Sequence, residues 1–463
     1  MAGIFTDGVA QVRPGAYFNV NTNDGVGIVG ARDGIVAAIF EGTFGPLNEV
    51  REISDSRDVY KIYGNGGKVD ILELAFQGGA NTVLAIRIGS GGTAAKTQLG
   101  EICTINAKYP GTREFSVTVK DDLTDEDHKM VTFYSGTREI ESYSIEKNGS
   151  TEGAALKEAM AKSENFTVTV NTDGALSDVA QQAFTAGTDP TADADAYQVG
   201  LDCLESVYCN AVCMSTDNTA HHLLLKTFLD RAYDNGFFAC GIVAEDSATE
   251  LSTRISHAMT FNDEKMVYVL NAKVLQNEKE LNGYQVAAVV AGMYASYASN
   301  YSLTHKVLSG ISELSEVLTS SQMTEAEQKG CLVLSRSAAG KVWIDNAINS
   351  LVELPENKDE GWKKLRRTKT RFELMYRMNT TADDLVGNVD NDKNGRETVI
   401  AKLNEVGNAM LQEGKLISCA VTEHPDKTSN ADYAYFLIDV VDKDSLEHLY
   451  LYYNFSYNTS EEG

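Results

Sequence analysis

The chain has 463 residues, 43% of them hydrophobic, and a formal net charge of −26 from 40 Lys and Arg against 66 Asp and Glu. That is enough apolar material for packed cores, which excludes wholesale disorder, and at about 100–200 residues per domain it predicts roughly two to four domains. So acidic a surface repels phosphate, which argues against nucleic acid and is compatible with plain solubility or a positively charged protein partner.

The seven cysteines, Cys103, Cys203, Cys209, Cys213, Cys240, Cys331 and Cys419, are odd in number and irregularly spaced. They read as buried free thiols of a reducing compartment, not a disulfide framework. Met1-Ala2-Gly3-Ile4-Phe5-Thr6-Asp7 has neither the basic region nor the apolar core of a signal peptide. No uninterrupted apolar run reaches the ~18 residues of a membrane span, so no direct membrane insertion is expected.

In chain order, residues 1–25 read as an extended arm. Pro14 fixes its own φ and pushes Arg13 toward extended geometry, and Gly15–Val20 forms a short strand. Asn21-Thr22-Asn23-Asp24-Gly25 is a run of turn formers that closes the arm. Gly25-Val26-Gly27-Ile28-Val29-Gly30 matches the dinucleotide fingerprint, which needs a helix opening on the glycines. Here Gly34 and the strand-like Ile35–Phe40 follow instead, so no nucleotide cofactor is expected. A turn at Gly45-Pro46-Leu47-Asn48 leads to Val50–Ile53. Two helices follow, one capped by Ser54 and ending at Gly64, the other over Val69–Gln77 and closed by Gly78-Gly79. With the strand Thr82–Ile88 they make an α/β layer.

Residues 101–184 change character. Phe115–Val119, Met130–Tyr134 and Phe166–Val170 alternate, and one short helix, Gly153–Lys162, interrupts them, which predicts an inserted β-rich domain. The α/β pattern resumes with helix Ala194–Glu205, strand Val207–Met214, helix Thr219–Asn235, and strands Phe237–Ala244 and Met266–Leu270. Helix Gln285–Tyr301 carries Ala287, Ala288, Ala291, Gly292, Ala295 and Ala298, a spacing of small residues that permits close packing. Lys341–Ile344 reads as a strand, and residues 361–378 fit a strand or a helix equally. A helix over Glu397–Glu413 and strands Ile417–Val421 and Ala434–Val441 follow.

The chain ends on an alternating aromatic stretch. Leu449, Leu451, Tyr453, Phe455 and Tyr457 fall on one face of an extended strand, and His448, Tyr450, Tyr452, Asn454 and Ser456 on the other. The expected organisation is an α/β core of open mixed sheet with helices (26–100 and 185–350), the β-rich insert (101–184), a C-terminal α+β domain (351–463), and extended strand arms at both ends.

Constellations that carry chemistry are incomplete. Asp390-Asn391-Asp392-Lys393-Asn394-Gly395 fits the first half of a calcium loop, but Ala401 stands where the bidentate acid belongs. Cys203, Cys209 and Cys213 with His221 and His222 match no zinc spacing. No catalytic residue, metal ligand or cofactor site is assigned, and no G-x-S-x-G, P-loop or H-E-x-x-H occurs. Lys363, Lys364, Arg366, Arg367, Lys369 and Arg371 form the one basic cluster. It reads equally as a contact patch for an acidic protein and as a solvated face.

Five further stretches, in order, carry a resemblance. Arg13-Pro14-Gly15-Ala16-Tyr17 resembles the opening motif of contractile phage tail sheath proteins. Gly45-Pro46-Leu47-Asn48, then Ile53-Ser54 and the helix ending at Tyr63-Gly64, is similar to their next segment. Ala75-Phe76-Gln77-Gly78-Gly79-Ala80 leading to Leu84–Ile88 resembles their helix-GG-strand unit. Ala107-Lys108-Tyr109-Pro110-Gly111-Thr112 and Phe184-Thr185-Ala186-Gly187-Thr188-Asp189 resemble the entry to and exit from their inserted β domain. The nearest group looks like the sheaths of Gram-positive myophages, phage-tail-like bacteriocins and defective prophages.

The resemblance implies hexameric rings stacked helically around a tail tube protein, with baseplate and tail terminator proteins as further partners. It implies a metastable extended state and a contraction that drives the tube through a bacterial envelope without nucleotide hydrolysis. It also implies assembly in the host bacterial cytoplasm and release by lysis as a virion tail or tail-like particle. The core of such proteins has been related to a subtilisin-like fold, but no Gly-Thr-Ser-x-Ala motif occurs here and no protease activity carries over. The arms are then expected to exchange strands between subunits through Pro14, Tyr17, Phe18 and Val20 at one end and Leu449, Leu451, Tyr453 and Phe455 at the other. Asn21, Asp24, Gly25, Asp442 and Asp444 are the expected hinges. The reading that competes with this one is a cytosolic α/β enzyme of unknown substrate; a calcium-dependent surface-layer protein would need a signal peptide.

Overall fold

A computed structural model describes residues 3–4, 17–18, 30, 32–356 and 358–456. They group into two compact units, one of residues 31–376 with 442–463, the other of 1–30 with 377–441. This division departs from the expected boundary at 351, because residues 351–376 and the terminal segment pack with the larger unit.

The larger unit is built on a seven-stranded sheet. Its order is Cys331–Leu332, Met266–Val269, Cys240–Val243, Ala211–Met214, Ile35–Phe40, Thr82–Arg87 and Arg51–Ile53. Every pairing is parallel except the last, where Arg51 lies opposite Ala85. Strands with helices on both faces lose their polar alternation, which is why they read as IVAAIF, TVLAIR and MVYV. Successive residues feed opposite cores. Val36, Ala38 and Phe40 pack with helices Asp70–Gly78 and Gly283–Ser296, while Ala37 and Ile39 pack with Ala194–Asp202, Thr219–Asp234 and Leu251–Phe261. Among the described residues after Gly30, the first regular element is the strand that starts at Ile35, and no helix precedes it.

Local corrections have local causes. The first helix runs Ser56–Tyr63 and is capped by Asp55, not Ser54, with the Asp55 carboxylate accepting from the Arg57 amide at 2.9 Å. Val207–Met214 is a strand only over Ala211–Met214. The undecided stretch 361–378 is a 3-10 turn, Glu360–Lys363, followed by helix Leu365–Leu385. Helices Leu251–Phe261 and Ser320–Gln328 were not expected from the sequence.

The insert is a β-sandwich. One antiparallel sheet is ordered Arg138–Glu146, His128–Ser135, Ser116–Asp121, Val179–Ala183, and the other Phe166–Val170, Cys103–Pro110, Ala94–Leu99. Ala94–Leu99, expected to belong to the α/β layer, pairs instead with Cys103–Pro110. Its polar sequence AAKTQL hid it. Phe115, Phe133, Phe166 and Phe184 fill the space between the sheets, with Phe133 stacked on Phe166 at 4.5 Å.

Two buried arginines tie the sandwich to the core. Arg87, on the sheet, donates to the carbonyls of Gly42, Gly45 and Pro110 at 2.8–2.9 Å. Arg113, at the start of the insert, donates to the carbonyls of Tyr60 and Lys61 and to Ser135 Oγ. Burial lowers both guanidiniums to about 10, still charged at neutral pH.

The smaller unit contains the continuation of helix Leu365–Leu385 from Arg377, helix Lys393–Gln412, and the two-stranded sheet Leu416–Glu423 with Phe436–Asp442. Among the described residues, Met378, Leu403, Val406, Met410, Leu416 and Val421 are its buried apolar side chains. Buried Arg377 binds the Glu413 carboxylate through both terminal nitrogens, at 2.8 and 2.9 Å. In the N-terminal arm, Gly3–Ile4 pairs in parallel with Tyr17–Phe18. Pro14, Val20, Asn21, Asp24 and Gly25 lie outside the described residues.

Candidate functional site

The chemical constellations resolve into structure. Asp392 is the N-cap of helix Lys393–Gln412, its carboxylate accepting from the Gly395 amide at 2.8 Å, and Asn391 donates to the carbonyls of Ala431 and Tyr433. The half calcium loop is therefore a capped helix start. Cys209 and Cys213 are buried at the sheet, and burial pushes their thiols up. Buried His222 hydrogen-bonds the Thr216 carbonyl through Nε2, and burial lowers it to about 4, so it is neutral.

The sheet's switch point, between the C-terminal ends of Ile35–Phe40 and Ala211–Met214, is where α/β folds hold ligands. Here the chain's own side chains occupy it. The Glu41 carboxylate accepts from Lys68 at 2.8 Å and from Tyr197 at 2.9 Å, and the Glu41 amide donates to Ser215 Oγ.

The basic cluster is not a free patch. Lys369 is buried, pairs with Asp33 at 2.8 Å, and donates to the carbonyls of Tyr294, Ala295 and Tyr297 at the end of helix Gly283–Ser296. Lys363 pairs with Glu360 at 2.9 Å. Arg371 stacks 4.0 Å over Trp362. Lys364 reaches Asp444 at 2.7 Å and Glu447 at 3.1 Å, and Arg367 grips both oxygens of Asp442 at 2.7 Å each. Glu447 also accepts from Ser302 at 3.0 Å and from Ser445 at 2.8 Å. Asp442 and Asp444, expected as hinges, are thus both held by ion pairs.

Beyond Glu447 the chain changes. Leu449, Tyr450, Leu451, Tyr452, Tyr453 and Phe455 are all exposed, Tyr452 at 91% and Phe455 at 83%. No strand is formed here, because none among the described residues lies alongside to pair with it. The Tyr453 and Phe455 rings stack nearly parallel, 14° apart, which places residues two apart on one side, as an extended chain does.

Within the smaller unit, the sheet Leu416–Glu423 with Phe436–Asp442 has two strands among the described residues, which leave an edge of each open. Ile417, Ile438, Val440 and Val441 on it are exposed. A groove of about 300 Å³ is lined by Leu385, Val386, Val389, Val399, Leu403 and Phe436 of this unit.

Sequence reasoning identified the cations and missed their partners. Asp359 and Ser302 were not singled out, and Glu447 and Trp362 were given no pairing with the cluster. The available signal was the acidic spacing Asp442, Asp444, Glu447, complementary in charge to the run at 363–371.

The family model described as the phage tail sheath protein central domain matches residues 191–350, and that described as the phage tail sheath protein beta-sandwich domain matches residues 90–189. Together they cover more than half of the chain. Among solved structures, the chain is similar to the sheath tail protein of Desulfitobacterium hafniense, with 18% identity and a TM-score of 0.70 over 93% of this chain and 100% of that one. It is similar to the sheath tail protein of Listeria innocua, with 19% identity and a TM-score of 0.69 over 90% of this chain and 96% of that one. It is also similar to the contracted sheath complex of an extracellular contractile injection system, PVC, with 10% identity and a TM-score of 0.56 over 96% of this chain and 98% of that one. No curated protein sequence matches at a significant level.

Proposed function

The chain belongs to the phage tail sheath protein family, and from that premise we propose that it polymerises as stacked hexameric rings around a tail tube and contracts to drive the tube through a bacterial envelope. Its role is structural. The particle is assembled in the bacterial cytoplasm on a baseplate, closed by a terminator, and released by lysis.

The observation that carries the assembly mechanism is a pair of incomplete β elements. Among the described residues, Leu449–Phe455 is an apolar, alternating segment without a strand partner, and the two-stranded sheet of the smaller unit has open edges and exposed apolar residues. A two-stranded sheet is marginal alone and gains from added strands. The terminal segment of one subunit supplies such a strand to the sheet of another, and the N-terminal arm around Tyr17–Phe18 supplies a second. Backbone pairing of this kind survives rotation of the subunits, because the linkers and not the ladders absorb the motion. The parallel-sheet core with its sandwich moves as the body of the subunit, and residues 377–441 form the connecting layer.

Contraction then draws on interface area. Each additional 100 Å² of apolar surface buried between subunits contributes about 2.5 kcal/mol. Extended and contracted particles of equal buried area and equal thermal stability would remove this source of energy.

Negative-stain microscopy of the recombinant full-length protein tests the reading. Rods or stacked rings are expected. Discrete small particles at every concentration and salt would overturn it.

A further inference from the structure

Lys364, Arg367 and Arg371 lie at i, i+3 and i+7, along one face at the start of helix Leu365–Leu385. Arg366, buried beside them, feels the charges of Asp444, Glu447 and Asp442, and its Nε has no hydrogen-bond partner among the described residues. Four cations this close repel one another unless anions lie between them. Three acids of one short segment do so: Asp442 to Arg367 in a two-pronged pair, with Arg371 Nη1 3.9 Å away, and Asp444 and Glu447 to Lys364. Two of the three acids are shielded, the Asp442 and Glu447 side chains being 11% and 10% exposed, while Asp444 is 38% exposed. A single surface ion pair contributes little, but a network with a two-pronged Arg–carboxylate pair holds geometry well. Leu446, between the paired acids, is already 80% exposed; what changes beyond Glu447 is that, among the described residues, the ion pairs to the helix stop. Glu447 is fixed by Lys364 and two serine hydroxyls, and from Leu449 onward the apolar side chains are exposed.

We propose that these four cations form a socket for an acidic peptide, and that its occupant is Asp442–Glu447 of the same chain. The socket is the root of the terminal arm. It stays closed when the arm is donated, so the exchanged strand begins at His448 and the pivot lies at His448–Leu449, not in the polar segment before it. The pivot rests on the strand-exchange reading above; the socket itself does not. Because the root is ionic, its hold weakens as salt rises.

Tryptic cleavage after Lys443, an exposed residue inside the held segment, reads the socket directly in the full-length chain. At low salt, cleavage after Lys443 is expected to be slower by roughly ten-fold or more than chymotryptic cleavage after Tyr450 and Tyr452, and independent of protein concentration. High salt, K364Q/R367Q, or D442N/D444N/E447Q should each remove the difference. The last variant alters the segment alone, so it reports even if the helix variant fails to fold. Equal rates at low salt in the wild type would overturn the proposal, as would protection indifferent to salt and to both variants. Protection that rises with concentration would assign the occupant to a second copy and overturn the same-chain assignment. Loss of rods with the Lys443 protection intact would count against the sheath mechanism and leave the socket standing.

Discussion

A buried charge in this chain is nearly always a tether. Arg254 inserts under the sheet, donates to the Leu270 and Thr249 carbonyls, and pairs with Glu316; Lys129 pairs with Glu152 at 3.0 Å inside the sandwich. Such groups look solvated in sequence, since nothing local distinguishes Lys369 from an exposed lysine until the carbonyls of Tyr294, Ala295 and Tyr297 are in place. Asp217 shows the cost of an incomplete tether. Burial is the main reason its carboxyl is pushed up to about 6, with Asp246 and Glu245 adding repulsion and the Tyr284 amide and Lys68 opposing. A group whose folded pKa lies above its unfolded value adds stability below the unfolded value and loses it as pH rises through the folded one. Stability from this site therefore falls between the ordinary Asp value of 3.8 and about 6. Asn keeps the acceptor for the Tyr284 amide without the charge. D217N is expected to raise the thermal midpoint at about pH 8 and leave it unchanged at about pH 4. An equal shift at both would refute the assignment.

The helix expected over Gln285–Tyr301 runs Gly283–Ser296 and ends before Ala298. Its other small residues predicted a close neighbour, and the neighbour is helix Asp70–Gly78. A Cβ on Gly292 would lie 2.1 Å from the Ala75 carbonyl oxygen and 2.9 Å from Gly78 Cα, and one on Gly78 would lie 2.2 Å from the Val289 carbonyl oxygen. Both obstacles are backbone, so no side-chain rotation relieves them. G292A is expected to destabilise the fold by about 1–3 kcal/mol in chemical denaturation, as overpacking does. A neutral result would mean the helices separate freely. The least legible elements were edge strands such as Ala94–Leu99 and Val179–Ala183, whose polar residues carry no clear alternation. Residues 361–378 were ambiguous for a related reason: their buried face is lined with cations, and hydrophobic periodicity cannot mark a face neutralised by acids about 75–80 positions away.

For the whole molecule, the proposed strand exchange implies that the anchored root separates folding from assembly. A chain truncated after Glu447 keeps every ion pair of the socket and, among the described residues, loses only exposed side chains. It is expected to melt at the temperature of the full-length subunit and to form no rods by electron microscopy; deletion of residues 1–20 is expected to do the same. Rods from both truncations would exclude strand exchange as the link between subunits.

The sequence by itself determined six of the seven strands of the core sheet, all but Cys331–Leu332, most of its helices, the inserted β-rich region and the likeness to sheath proteins. These are carried by short-range periodicity and by motifs read in order, which need no knowledge of the fold. The tertiary structure decided the sheet order, the true start of the sandwich, and the fate of the basic cluster. Those depend on contacts such as Lys364 with Asp444, 80 residues apart, and charge pairing over that separation leaves no local trace until the chain has closed upon itself.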